Sequence, residues 1–180
     1  TKEAPILISN FGTGTSKPKI HAQGENIAAI LLKDTHFIRV NGIEVTNTNG
    51  TDKDQGTLFG IYVLAQSKEQ TYSSIYINDC YIHNVNGKVA GKQRGGIHVH
   101  MKKLKESIFD DLRITNNRII NGGGVGIGNT STCASVRFED DQTITQNLWT
   151  NVYVAHNFLD QTGRNNIIAR TSVNAIYEYN

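Results

Sequence analysis

Two imidazoles one residue apart, His98 and His100, alternate with apolar Ile97 and Val99 in the stretch Gly95-Gly96-Ile97-His98-Val99-His100-Met101. That is the period-two pattern of a strand with one buried and one open face. Histidine can give or take a proton near neutral pH, so the pair could act as acid or base. Cationic residues surround it: Lys88, Lys92 and Arg94 come before, Lys102, Lys103 and Lys105 after, and no acidic residue lies between Lys88 and Lys105. Such a patch could pair with the carboxylate of an acidic substrate. A bland reading stands beside this one, since outward histidines and lysine runs are also ordinary solvated surface.

The elements that hold this strand must come from a chain of 180 residues, one domain by size, with net charge +2 and no apolar run long enough for a membrane-spanning helix. So small a charge makes the basic stretch a local feature and gives no sign of nucleic-acid binding. Seventeen glycines and two prolines, among many Asn, Thr, Ile and Val, suit short strands and turns better than helices. Cys80 and Cys133 match no metal-ligand spacing, and whether they pair is open.

An internal repeat organises the chain. His36–Gly50 superposes on Ser73–Gly87 at a shift of 37, and Leu112–Gly122 follows at 37 more. Val152–Asp160 then follows at 40 and Ala175–Asn180 at 23. Each unit reads strand, sharp bend, strand, turn, with a further strand between units, the Gly-Ile-His-Val-His type. Three short strands cannot bury a core alone, but stacked turns can. The expectation is a single domain, residues 1–180, forming an all-β, right-handed parallel β-helix with three strands per turn and about four to five turns. It would be part of a longer helix, because the last repeat stops part-way. Ile43, Cys80, Asn117, Asn157 and Asn180 share the bend position, and stacked asparagines there would form an amide ladder.

With that repeat, the chain resembles the right-handed parallel β-helix proteins of the pectate-lyase-like superfamily. The likeness rests on Pro5–Ile20, which looks like an opening turn, on Phe37–Gly50, and on Ile167–Asn180. The resemblance implies a polysaccharide lyase or glycoside hydrolase, secreted, periplasmic or on the cell surface, with its substrate groove along the first-strand sheet. On that sheet Ile61, Val63, Ile97, Val99, Val125 and Ile127 would point in. Tyr62, Leu64, His98, His100, Gly126 and Gly128 would form the open face, joined by Arg170.

The first expectation is a lyase that cleaves an anionic, uronate-containing polysaccharide by β-elimination. His98, His100, Lys102 and Arg170 are its candidate catalytic groups. Tyr62, Lys88, Lys92, Arg94, Lys103, Lys105 and Trp149 would bind the substrate. In relatives Ca2+ often neutralises the uronate, and Glu139, Asp140 and Asp141 are the acidic cluster able to hold it. The alternatives are a hydrolase, which needs a carboxylate pair from Glu139, Asp140, Asp141, Asp160 or Glu178, and a non-catalytic carbohydrate-binding or adhesin module. Which polysaccharide is taken and whether the protein forms oligomers stay open.

Overall fold

The computed structural model describes residues 1–50, 56–87, 89, 91–102, 107–131, 149–170 and 172–180; Lys88, Lys103, Lys105, Cys133, Glu139, Asp140 and Asp141 lie outside them. Sixteen strands run through the described residues: β1 (Ile6–Ser9), β2 (Lys19–His21), β3 (Ala28–Lys33), β4 (Ile38–Asn41), β5 (Glu44–Asn47), β6 (Phe59–Ala65), β7 (Thr71–Asn78), β8 (Tyr81–Val85), β9 (Gly95–Met101), β10 (Ile108–Thr115), β11 (Arg118–Gly122), β12 (Val125–Ser131), β13 (Trp149–Ala155), β14 (Phe158–Thr162), β15 (Asn165–Ile168) and β16 (Ser172–Glu178).

Every third strand pairs, so the chain winds through three sheets. Sheet 1 has the order β3-β6-β9-β12-β15, sheet 2 the order β1-β4-β7-β10-β13-β16, and sheet 3 the order β2-β5-β8-β11-β14. All pairing is parallel. This is an all-β parallel β-helix of five three-strand turns followed by β16. The repeat shifts are the pairing register: Ile38 opposes Ile75, Ile75 opposes Leu112, Leu112 opposes Val152 and Val152 opposes Ala175. The Pro5–Ile20 segment contributes β1 and β2, a turn of its own that pairs with β4 and β5.

Inward side chains from all three sheets, among them Val40, Ile61, Ile77, Ile82, Ile97 and Ile114, make one continuous core. Buried together, such columns supply the apolar area that no single turn could. Sheet 2 turns into sheet 3 at one left-handed residue per coil: Gly42, Asp79, Asn116, His156 and Tyr179, with φ between 50° and 68°. Asp and Asn adopt this conformation at little cost, while His156 and Tyr179 are held there by their neighbours in the stack.

The next residue of each corner carries the amide ladder. Asn117 Oδ1 accepts from the Cys80 backbone N–H at 2.9 Å, and Asn157 Oδ1 accepts from the backbone and side-chain nitrogens of Asn117 at 3.0 and 2.9 Å. Asn180 Oδ1 accepts from Asn157 Nδ2 at 2.7 Å. Each amide thus satisfies the buried polar groups of the coil beneath. Cys80 occupies the same column as a free, buried thiol.

Candidate functional site

On sheet 1, β9 lies between β6 and β12, and this places His98 opposite Tyr62 and Gly128, and His100 opposite Leu64 and Thr130. The polar contacts run diagonally across these pairs, as neighbouring strands permit. The Tyr62 hydroxyl and His100 Nδ1 are 2.6 Å apart, and His98 Nε2 lies 3.1 Å from Thr130 Oγ1. Each ring keeps one further nitrogen, His98 Nδ1 and His100 Nε2, buried and without a hydrogen-bond partner. Such atoms are costly unless a ligand or solvent meets them. Gly128 is needed beside His98 because the two pack closely: a Cβ there would lie 3.0 Å from Nδ1.

The face is much more closed than alternation alone predicts. His98 is 1% exposed, Tyr62 5% and Leu64 8%. The cause is a break in the alternation. A Cβ on Gly60 would lie 2.6 Å from Ile82 Cγ2, so this position points into the helix beside inward Ile61. Phe59 is thereby turned to the outer face, where its ring stacks on Tyr62 at 4.1 Å between centroids. Ala28, Phe59, Tyr62 and Leu64 form a second apolar cluster there. The same offset corrects two more expectations. Gly126 points inward, its missing Cβ 2.5 Å from Leu159 Cδ2, and Val125 packs on the outer side, its Cγ1 3.2 Å from the Cβ position of Gly128.

Burial also decides the charges. It pushes His98 down to about 3, with the positive groups of His100 and Arg170 adding to the effect. His100 is lowered by burial and then by Lys102, while burial pushes the Tyr62 hydroxyl up to about 12. At neutral pH the centre of the face is therefore an uncharged hydrogen-bonding surface. Positive charge enters at its margin, from half-buried Arg170 and exposed Lys102. A base as weak as His98 is poorly matched to proton abstraction near neutrality.

The structure thus gathers His98, His100, Arg170, Lys102 and Tyr62. Other candidates go elsewhere. Trp149 is fully buried inside the helix, stacked on Phe109 at 6.0 Å, and cannot meet a sugar. It aligns with Phe109 and Tyr72 in successive coils, an interior aromatic column. Arg94 folds onto the backbone and donates from Nη1 to the Gly56 carbonyl at 3.1 Å, which makes it a loop clasp. Lys92 is exposed just before β9, at the end away from His100. Three participants escaped the sequence reading: Phe59, Thr130, and Asn129, whose Nδ2 donates to the Arg170 carbonyl at 2.7 Å. Thr130 and Asn129 continue β12 past the glycines, and that extension was the available signal.

No Asp or Glu occurs on the strands of sheet 1. Asp160 lies on β14 in sheet 3, and Glu178, on β16 in sheet 2, accepts from the Tyr153 hydroxyl at 2.9 Å. Among the described residues no group of three His, Cys, Asp or Glu could hold a metal ion.

No protein-family model matches the chain, and no curated protein emerges as a relative. Solved structures do match. The GH136 lacto-N-biosidase from Eubacterium ramulus, as its selenomethionine derivative, superposes with a TM-score of 0.75 over 93% of this chain at 20% identity. Its native form gives a TM-score of 0.72 over 87% at 22% identity. The chain spans about a third of the length of those chains, 33% and 31%. At this identity the likeness establishes the fold.

Proposed function

We propose that the chain belongs to a carbohydrate-acting β-helix protein, and that it forms part of a glycoside hydrolase binding a neutral oligosaccharide over sheet 1. The observation that carries this reading is the superposition of 93% of the chain on a lacto-N-biosidase. The chemistry of the face agrees with it. Tyr62, His98 and His100 are neutral near pH 7, so the centre of the face holds no charge that would call for an anionic sugar.

A hydrolase also needs a carboxylate pair. Glu139, Asp140 and Asp141 belong to the connection between β12 and β13, which leaves sheet 1 at Ser131, opposite Met101 on the His100 strand. We assign them this role. The test is incubation with glycans ending in lacto-N-biose and with related neutral oligosaccharides, following new reducing ends. Glu139→Gln, Asp140→Asn and Asp141→Asn are compared one at a time, and one or two of them should lower turnover by about a hundredfold or more. His100→Gln should chiefly raise KM. Turnover that survives all three carboxylate changes would remove this assignment.

The lyase of the pectate-lyase-like superfamily is the second reading, favoured by Arg170 and Lys102 beside a face without carboxylates. It makes Glu139, Asp140 and Asp141 a Ca2+ site on a protein that acts outside the cell. It predicts a rise in ultraviolet absorbance from unsaturated uronate on acidic polysaccharides, abolished by chelator. No product from either substrate class would leave a binding module.

A further inference from the structure

We propose that the outer corner between sheets 2 and 3 is a second saccharide site, separate from the face of sheet 1, and that it takes an oligosaccharide bearing a carboxylate. A cavity of about 470 Å³ opens there, between the corner residues Asp79 and Asn116 and the sheet 3 residues Glu44, Tyr81 and Arg118. The last three stand in one register row that Phe158 continues. The volume suits one or two sugar rings.

The charges of this corner leave one cation over. Lys17 Nζ donates to Asp79 Oδ2 and to the Asp79 carbonyl, both at 2.6 Å. Glu44 Oε1 meets Lys19 Nζ at 3.0 Å and His83 Nε2 at 2.9 Å, and these bonds hold its carboxyl below the usual range. Arg118 has no carboxylate partner among the described residues. Its guanidinium sits instead between two rings, 5.8 Å from the centroid of Tyr81 and 5.1 Å from that of Phe158. Among the described residues no hydrogen bond takes up its N–H groups, and an arginine in that state can take a carboxylate with two parallel bonds.

The surroundings fit a sugar better than a simple anion. The carboxylate oxygens of Glu44 and Asp79, already neutralised by cations, can still accept from hydroxyls. One coil further on, Phe158 continues the register row of Arg118, an apolar ring next to the polar groups, the combination that meets the two sides of a pyranose.

Calorimetric titration of the whole chain with trigalacturonate and with a neutral galactose trisaccharide tests the proposal, using the parent, Arg118→Gln and Ser16→Trp. Ser16 is exposed at the rim of the cavity, so its replacement fills the site without entering the core. The parent should bind the acidic sugar at least about tenfold more tightly than the neutral one, and more weakly as salt rises. Arg118→Gln should remove that preference, and Ser16→Trp should abolish binding of both sugars. Ser16→Trp decides the matter even if Arg118→Gln fails to fold. Equal binding of the two sugars, binding untouched by Ser16→Trp, or an Asp/Glu-rich peptide bound as tightly would each overturn it. Glycan hydrolysis is measured on the same variants and should be unchanged, so failure here and failure of the hydrolase reading are separate results.

Discussion

Burial keeps His98 neutral, and this determines how the molecule responds to mild acid. The folded imidazole titrates at about 3 and the unfolded one near its ordinary value of 6.5, so between these the unfolded chain binds the extra proton. Stability contributed by neutral His98 is fully present above pH 6.5 and falls as the pH drops towards 3, by roughly 1 kcal/mol per pH unit. His100, also lowered, acts in the same direction. Asp34, Glu44 and Asp111 are depressed carboxylates with ordinary values of 3.8, 4.5 and 3.8, so their contribution is lost only below about pH 4.5. The interval from about pH 6.5 to 5 therefore isolates the imidazoles. Urea midpoints measured across it should decline for the parent, and His98→Gln, which cannot titrate, should make the decline shallower, leaving the part that belongs to His100. A parent curve flat over this interval would show that His98 is not buried as described. The sequence made His98 and His100 visible as neighbours on one face. It could not reveal their state of charge, which depends on Phe59, Leu64 and Thr130 arriving from two other strands.

At the scale of the strand, the repeat was legible because parallel pairing with one left-handed corner per coil leaves a fixed spacing between equivalent residues. Asn117, Asn157 and Asn180 declared the corner through side-chain type alone. Sheet 1 was read less well. Period-two alternation fails at Gly60, Gly96 and Gly126, residues with no side chain to betray their direction. These three are in register and all point inward. A Cβ on Gly96 would lie 2.6 Å from Ile119 Cγ2 and 2.7 Å from the Gly126 carbonyl oxygen. The second of these neighbours is backbone and cannot rotate away. Gly96→Ala should therefore cost about 2 kcal/mol or more through overpacking at the turn where sheet 3 meets sheet 1. Gly14→Ala, with nothing within 4 Å and no left-handed backbone, is the matched control and should stay within about half a kcal/mol of the parent. Equal urea midpoints for the two variants would contradict the close approach of the coils.

For the molecule as a whole, stacked coils imply a gradient of stability, because each coil is held by its neighbours and by little else. The burial of successive strands shows where the gradient lies. In sheet 3, β8 has two of five residues buried and β14 has none. In sheet 2, β7 has four of eight buried and β16 none, while Val173 and Ile176 on β16 stand 52% and 51% exposed. In sheet 1, all seven residues of β6 are buried and none of the four in β15. The buried strands β6, β7, β9 and β10 should thus open only with global unfolding, and hydrogen exchange should find the slowest amides there. The two proposed sites fall on different sheets: His98 and His100 on β9 of sheet 1, Arg118 and Phe158 on the neighbouring strands β11 and β14 of sheet 3. Saturating trigalacturonate should therefore slow exchange in β14 and leave β9 unaltered, while a ligand of sheet 1 should leave β14 as it was. Uniform protection along the chain would contradict the coil-by-coil account.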